Sequence, residues 1–325
     1  MEEQKKVIIL GSGNSGSGAV YDYLLQRPDF FAPIQKEFRL IQDPGGIIDL
    51  HSAIKYGFHV NRASSSIDSF IDLYHRCGRE NNKFQLGLNY ESFIENYYKI
   101  LWDLIDKITL VEYKGMAFCE RSKLSKFKYY FLKKSQKKAK KSGEKHLYGL
   151  TRLPVTEEVF LNEVCEFLNS LFKASKNYDD KKSIVLDQGG TFWKPERSTI
   201  YYGKNRKAIV VTRDPRGVFN SFKTRGHAYP GEGVKLFCDW YKQMMKHVDF
   251  TEWKGDNVLH VQYEDFVTHY SVEKNKVDDF LGIPSNVTST IDIDKSAFNA
   301  KKFKDRLNKD EMEYIEKELV EYLYF

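Results

Sequence analysis

The chain has 325 residues, with 51 Lys and Arg against 45 Asp and Glu, which gives a formal net charge of +6. This length suits one large domain with a sizeable core, and no segment is long and apolar enough for a membrane span. The four cysteines lie far apart and lack a CxxC spacing, which argues against structural zinc and for a reducing compartment. A strand begins almost at the N-terminus, so we expect no signal peptide and a cytoplasmic location.

The most informative stretch of the sequence is Lys5–Leu25. Val7–Leu10 is a continuous apolar run, which predicts a strand buried on both faces. Gly11–Gly18 follows with four glycines and three serines, and the next residues are apolar at helical spacing. A strand, a glycine-rich loop and a helix N-terminus together form an anion site, because free backbone N–H groups and the helix dipole point at the loop. The stretch therefore predicts phosphate binding.

Three phosphate ligands are compatible with this loop. Gly11 and Gly16 have the spacing of a nucleoside triphosphate loop, but Ser17 and Gly18 stand where Lys and Ser or Thr belong. The glycines also match the dinucleotide fingerprint G-x-G-x-x-G, for which Glu37 could be the confirming acid. The third ligand is an activated sulfate donor, whose second phosphate needs another site in the chain.

Ala208–Phe222 is the candidate for that second site. Ala208–Thr212 predicts another buried strand, Arg213 ends it, and Ser221 lies two helical turns further on. A guanidinium binds a phosphate bidentately, and a hydroxyl can add a further hydrogen bond. An ordinary strand–turn–helix in which Arg213 pairs with Asp214 is the alternative.

These residues resemble a known family, the sulfotransferases that use 3′-phosphoadenosine 5′-phosphosulfate (PAPS). Ser15–Leu24 resembles the 5′-phosphosulfate loop of that family, and Arg213–Val218 with Ser221 resembles its 3′-phosphate motif. Val258–Phe266 is similar to a third segment that usually follows, so the resemblance runs in the family's order over residues 5–266. It is closer to the glycan-modifying members than to the small-molecule cytosolic ones.

The resemblance implies an α/β fold with a central parallel sheet, helices on both faces and a P-loop-like sulfotransferase architecture. We expect a single domain over residues 1–325, with a mostly helical, cap-like insertion at about 52–182. It also implies PAPS as the donor, adenosine 3′,5′-bisphosphate (PAP) as the product, and no metal. The implied donor-binding residues are Gly13, Asn14, Ser15, Gly16, Ser17, Gly18, Ala19, Arg213 and Ser221.

The sequence departs from the family in three places. Ser17 and Gly18 replace the usual Thr-Thr, which keeps one hydroxyl. Asn14 occupies the loop position that usually carries Lys or Arg, so the charge facing the 5′-phosphate must come from elsewhere, for which Lys36 is a candidate. The Lys-Thr-His segment of the small-molecule cytosolic members is absent, so their catalytic histidine cannot be transferred to this chain.

Lys36 and Glu37 are the implied catalytic pair. They follow a run that predicts a second strand ending at Ile34, which would place them at the edge of the sheet where ligands bind. They resemble the Lys-Glu pair of glycan-modifying sulfotransferases, whose glutamate is the base that takes the proton of the acceptor. A solvated charge pair is the alternative, and His51 and His59 are the reserve bases.

Residues 121–145 hold eleven Lys or Arg and one acid, a charge of +10 that leaves −4 on the rest of the chain. This segment is compatible with a solvated helix face, with binding of an anionic glycan, or with a membrane surface that carries a lipid-linked saccharide acceptor. We expect no nucleic acid, because no RNA- or DNA-binding motif accompanies the segment.

The sequence thus predicts a sulfotransferase that acts on a hydroxyl or amine of an acceptor, such as a glycan or glycolipid. Two other functions stay open. One is an oxidoreductase that binds NAD(P) or flavin through Gly11, Gly13 and Gly16. The other is a noncatalytic nucleotide-binding module that docks on acidic surfaces through residues 121–145.

Overall fold

The structure is a computed structural model, which describes residues 3–115, 121–122, 124–132, 134, 150–225, 229–285 and 293–325. The chain divides into two compact units. The first combines Met1–Phe38 with Asp179–Phe325, and the second is Arg39–Tyr178. The second unit contains most of the predicted insertion at 52–182 but begins earlier, and the single domain stays a prediction.

The first unit contains a five-stranded parallel sheet, and the second contains an antiparallel strand pair. In chain order the strands are β1 (Lys6–Gly11), β2 (Phe30–Phe31), β3 (Thr109–Lys114), β4 (Leu150–Pro154), β5 (Ser183–Asp187), β6 (Arg206–Thr212) and β7 (Val258–Gln262). The order in the large sheet is β2-β5-β1-β6-β7, and each neighbouring pair is parallel. This confirms the predicted α/β class with a central parallel sheet.

Helices flank this sheet and make up most of the second unit. They are α1 (Ser17–Leu25), α2 (Ile47–Lys55), α3 (Val60–Gly78), α4 (Tyr97–Ile108), α5 (Glu157–Lys173), α6 (Pro195–Thr199), α7 (Pro215–Arg225), α8 (Val234–Lys246), α9 (Tyr263–Thr268), α10 (Tyr270–Leu281), α11 (Ile293–Lys301) and α12 (Lys309–Glu318). Short 3₁₀ turns occur at Tyr90–Ser92, Ile200–Tyr202, Glu252–Lys254, Lys302–Asp305 and Val320–Tyr322.

The core of the first unit forms around β1. Val7, Ile8, Ile9 and Leu10 have no solvent exposure, as the continuous apolar run predicts for a strand covered on both faces. The apolar side of α1 packs into the same cluster. Burial of this strand therefore fixes where the glycine-rich loop leaves the sheet.

The register of the sheet brings three carboxyl ends together. Ile9 pairs with Asp187 at the end of β5, and Gly11 pairs with Val211 near the end of β6. The loop after β1 consequently lies between the ends of β5 and β6. Ligands of open α/β sheets bind at this edge.

β2 is shorter than the sequence predicts. It pairs with β5 only through Phe30 and Phe31 and does not continue to Ile34, so the predicted end of this strand is wrong. Pro33 lacks the N–H group that would continue the ladder. The chain returns to β5 at Phe38, whose N–H donates to the carbonyl oxygen of Asp187 at 2.7 Å.

The second unit is mostly helical, as predicted, but β3 and β4 add an antiparallel pair that the sequence did not indicate. The buried Arg152 of β4 holds this pair to α3, because its guanidinium contacts Asp68 at 2.8 Å and Glu112 at 3.1 Å. None of the helices among the described residues is long and apolar enough to cross a membrane. Those residues also contain no cluster of three or more His, Cys, Asp or Glu side chains that could hold a metal ion.

Candidate active site

The loop between β1 and α1 is a tight turn with two left-handed residues. Asn14 has φ of 60° and Gly16 has φ of 84°, a conformation that Asn and Gly tolerate better than other residues. The N–H of Ser15 donates to the Ser12 carbonyl oxygen at 3.0 Å, which closes the turn. A Cβ added to Gly18 would have no neighbour within 4 Å, so the first turn of α1 presents open backbone. Free N–H groups at such a turn suit a phosphate group.

Three glycines of this loop are each covered by a side chain of the protein itself. A Cβ on Gly11 would lie 2.0 Å from the Ser15 hydroxyl, and one on Gly13 would lie 2.4 Å from the ring of Tyr229. A Cβ on Gly16 would lie 2.3 Å from the ring of Tyr263. The G-x-G-x-x-G spacing is therefore explained by packing within the chain.

The sheet order also differs from that of the dinucleotide fold. In the order 3-2-1-4-5-6 of that fold the second strand lies beside the first, whereas here β5 separates β2 from β1. Glu37 follows β2, which does not lie beside β1. It is therefore not placed as the acid of the dinucleotide fingerprint would be. The sheet order therefore disfavours the dinucleotide interpretation of the loop.

Arg213 joins the two predicted phosphate motifs. Its Nη1 donates to the carbonyl oxygen of Asn14 and to the hydroxyl of Ser221, each at 3.3 Å. Its Nη2 donates to the carbonyl oxygen of Asn299 at 2.9 Å, and its guanidinium carbon lies 5.0 Å from the centre of the Tyr263 ring. The structure thus brings together Asn14, Arg213 and Ser221, which the sequence assigned to one donor.

The neighbouring Asp214 has a structural partner in Arg216. The two form a bidentate pair with a closest contact of 2.6 Å, and Asp214 is 1% exposed. The N–H of Tyr324 also donates to this carboxylate, and Arg216 donates to the Tyr324 carbonyl oxygen. The acid of this motif therefore fastens the turn to the C-terminal segment.

The third segment of the resemblance, Val258–Phe266, contacts the turn that follows β6. Glu264 accepts the N–H of Asp214 at 3.1 Å, and burial raises the pKa of this carboxyl group. Tyr263 lies under Gly16 and Arg213 and donates its hydroxyl to the Ser296 carbonyl oxygen. The sequence indicated this segment only by likeness and did not predict these contacts.

Lys36 and Glu37 lie on the side of the glycine-rich loop opposite Arg213. Both are exposed, and they directly precede Phe38, which is bonded to the end of β5. Because β1 lies between β5 and β6, the glycine-rich loop lies between this pair and Arg213. The predicted catalytic pair and the predicted 3′-phosphate residues therefore occupy opposite sides of the predicted phosphosulfate loop.

The end of β5 adds Asp187 and Gln188, neither of which was among the site residues assigned from the sequence. The side-chain amide of Gln188 donates to the Ser17 hydroxyl at 3.0 Å, and Gln188 has φ of 56°. The pKa of Tyr21 on α1 is raised, first by burial and then by the charge of Asp187. The only signal in the sequence was the strand that ends at this turn.

The reserve bases His51 and His59 both have structural contacts in the second unit. His51 lies with Nε2 3.0 Å from Glu157 and its ring stacks on Phe160. The Nδ1 of His59 accepts the N–H of Asn61 and so caps α3. A catalytic role for either histidine stays a prediction.

Only part of the basic segment 121–145 is described; residues 123, 133 and 135–145 lie outside the described residues. The described part is helical over 126–132, and Phe127, Tyr130 and Phe131 are all at least half exposed. Basic and aromatic side chains are therefore both exposed along this helix.

Comparison with known proteins relates part of the chain to one family. The model of the sulfotransferase domain family matches residues 200–322. Among solved structures, the chain is similar to the sulfotransferase domain of the olefin synthase from Synechococcus PCC 7002, with 14% identity, a TM-score of 0.45, and coverage of 98% of this chain and 95% of that one. It is also similar to the sulfotransferase domain from the curacin biosynthetic pathway, with 13% identity, a TM-score of 0.41, and coverage of 100% and 99%.

A third similar structure is a sulfotransferase from Mycobacterium avium, with 11% identity, a TM-score of 0.38, and coverage of 98% of this chain and 76% of that one. The comparison with curated proteins found no match. The residues 200–322 that the family model matches include Arg213 and Ser221.

Proposed function

We propose that the protein transfers the sulfuryl group of PAPS to a hydroxyl or amine of an acceptor, which we take to be a glycan or glycolipid. The observation that carries this proposal is the position of Arg213 between the Asn14 carbonyl oxygen and the Ser221 hydroxyl. One guanidinium thereby links the two motifs that would hold the two phosphate groups of a single donor.

In this proposal the donor lies across the carboxyl edge of the sheet. The backbone of Gly13–Ala19 holds the 5′-phosphosulfate at the N-terminus of α1, where N–H groups lack partners within the helix. Arg213 and Ser221 hold the 3′-phosphate through charge-assisted hydrogen bonds. The order β5-β1-β6 supports this arrangement, because it places the loop between Glu37 and Arg213.

The chemistry that we propose is an in-line displacement at sulfur. The acceptor oxygen or nitrogen attacks the sulfur, Glu37 takes the proton, and the bond from sulfur to the 5′-phosphate oxygen breaks. The electron pair of that bond stays on the phosphate oxygen of PAP. Lys36 and the N-terminus of α1 stabilise this negative charge, and the proposed step requires no metal ion.

We propose an anionic glycan or a lipid-linked saccharide as the acceptor. The charge of +10 on residues 121–145 and the exposed Phe127, Tyr130 and Phe131 support a contact with anionic glycan or with a membrane surface. Co-sedimentation with anionic vesicles and retention on an anionic polysaccharide column would separate these two contacts.

The cytoplasm remains the proposed location of this reaction. Cys77, Cys165 and Cys238 are free thiols among the described residues. Free thiols are usual in a reducing compartment, whereas secreted domains commonly pair their cysteines.

Thermal stabilisation by a panel of nucleotides tests the proposed donor site. We would compare PAP, ATP, NAD and NADP, because a ligand at about 100 times its Kd adds about 2.7 kcal/mol of stability. Selective stabilisation by PAP supports both phosphate sites. Stabilisation by NAD or NADP alone would refute the proposal.

Turnover distinguishes an enzyme from a binding module. Labelled sulfate from PAPS should appear on at least one acceptor in a panel of phenols, monosaccharides, oligosaccharides and glycolipids. Tight PAP binding without transfer to any acceptor, and without hydrolysis of PAPS, would favour the noncatalytic module.

A further inference from the structure

Tyr229 lies over the glycine-rich loop at Gly13. The next residue is Asn14, where the resembled family usually has Lys or Arg. A Cβ on Gly13 would lie 2.4 Å from the Tyr229 Cζ and 2.6 Å from its hydroxyl oxygen. The phenol end of the ring therefore contacts the loop at Gly13, one residue before Asn14. Only a glycine leaves room for the ring at this position.

The ring of Tyr229 is held from one side by a buried aromatic cluster. It stacks on Phe222 with centroids 4.4 Å apart and an angle of 7° between the planes, and its edge meets Trp240 at 6.4 Å. Phe222 is 1% exposed and follows Ser221 directly on α7. The aromatic ring is thus fixed to the helix that carries the 3′-phosphate residue.

The backbone after Tyr229 is also tied to α7. The N–H of Gly231 donates to the Tyr229 carbonyl oxygen at 2.8 Å. A Cβ on Gly231 would lie 2.5 Å from the carbonyl oxygen of Phe222, so the two backbones are in close contact. The position of the phenol is therefore set by packing on both its ring and its backbone.

The Tyr229 hydroxyl is available to a ligand. Within the described part of the chain it has no hydrogen-bond partner, and the residue is 41% exposed. A phenol O–H that reaches an anion-binding loop is a hydrogen-bond donor for a phosphate oxygen.

From these contacts we infer that the Tyr229 hydroxyl donates a hydrogen bond to the 5′-phosphate of the donor and is a catalytic residue of the proposed transfer. The inference rests on the proposed function. As the bond from sulfur to the 5′-phosphate oxygen breaks, that oxygen keeps the electron pair and gains negative charge. A preplaced neutral donor adds to the stabilisation of this charge at a loop whose residue 14 is the uncharged Asn.

A comparison of two adenosine nucleotides tests this inference without knowledge of the acceptor. PAP carries the 5′-phosphate, and adenosine 3′-monophosphate lacks it. Tyr229→Phe keeps the aromatic stack and removes the hydroxyl, so it should weaken PAP binding about 10-fold or more, as expected for one hydrogen bond to a charged group. Binding of adenosine 3′-monophosphate should not change.

Turnover provides the second readout. Loss of a donor that stabilises developing negative charge lowers kcat by about 10²-fold in well-studied sites, and we expect a fall of at least 10-fold in PAPS turnover by Tyr229→Phe. Tyr56→Phe is the matched control, because Tyr56 is 76% exposed at the end of α2 and belongs to the other unit. This control should match the wild-type protein in both assays.

The outcomes separate this inference from the proposed function. If wild-type protein binds PAP more tightly than adenosine 3′-monophosphate and Tyr229→Phe behaves as wild type, the inference is wrong and the proposed function stands. Equal weakening of both nucleotides by Tyr229→Phe would mean a structural role and would also overturn it. If wild-type protein binds neither nucleotide, both proposals fail.

Discussion

Arg213 donates a hydrogen bond of 3.3 Å from Nη1 to the carbonyl oxygen of Asn14. This contact joins the turn after β6 to the glycine-rich loop after β1, which adjoins it in the sheet. The loop residue that lacks the usual positive charge is thus in contact with a guanidinium through its backbone. The two predicted phosphate motifs are consequently in direct contact.

Arg213→Lys should reduce binding at the 3′-phosphate while preserving a positive charge. Lysine cannot form the bidentate contact, and hydrogen bonds to charged groups contribute about 1.5–3 kcal/mol each. We therefore expect PAP to bind about 10- to 100-fold more weakly, with little change for adenosine 5′-monophosphate. Isothermal titration calorimetry measures both affinities.

Arg197→Lys is the control for that experiment, since Arg197 is 66% exposed and pairs with Glu252. It should bind PAP as the wild-type protein does. Normal PAP affinity in Arg213→Lys would remove Arg213 from the 3′-phosphate site.

Glu37→Gln should abolish most transfer while leaving donor binding intact. The amide cannot take the acceptor proton, and a general base contributes about 10²- to 10⁴-fold to the rate. Labelled transfer from PAPS measures the loss, and thermal stabilisation by PAP checks that the donor site survives.

Asp187→Asn is the informative comparison for Glu37→Gln, because Asp187 is a second carboxylate at this end of β5 and its carbonyl oxygen accepts the N–H of Phe38. If Asp187→Asn abolishes transfer and Glu37→Gln does not, Glu37 is not the base. Equal losses in both variants would mean that the two carboxylates act together.

Strands β1 and β6 and the turns that follow them were predictable because their signals are local. The apolar runs at Val7–Leu10 and Ala208–Thr212 specify buried strands by themselves, and parallel strands then bring their carboxyl ends to one edge. The positions of Arg213 and Ser221 follow from the same short segment. These predictions needed no knowledge of contacts between distant parts of the chain.

The contacts that complete the site were not predictable in this way. Tyr229 covers Gly13, and Tyr263 covers Gly16, across long separations in sequence that no periodicity encodes. The same holds for the pairing of Arg216 with the Tyr324 carbonyl oxygen. The predicted end of β2 was wrong because an apolar run through Ile34 does not show which residues form backbone hydrogen bonds with β5.

Two glycines of the loop should respond to alanine in opposite directions. Gly18 is in α1 with open space around it, so Gly18→Ala should stabilise the ligand-free protein by about 0.5–1 kcal/mol. Gly16 has φ of 84° and would bring its Cβ to 2.3 Å from Tyr263, so Gly16→Ala should destabilise it by about 1–3 kcal/mol. Urea unfolding measures both, and similar effects of the two variants would contradict the loop conformation.

We expect Arg216 to contribute to the free energy of unfolding, whereas we expect the nearby Arg213 to contribute to PAP binding. Arg216 is 12% exposed and Asp214 is 1% exposed, so Arg216→Met leaves a buried carboxylate without its main partner. Loss of one partner of a buried pair typically costs about 3–5 kcal/mol, which urea unfolding would detect. Lys235→Met is the matched control, because the Lys235–Asp239 pair is well exposed and contributes little. An equal effect of both variants would show that the turn after β6 does not depend on its contact with the C-terminal segment.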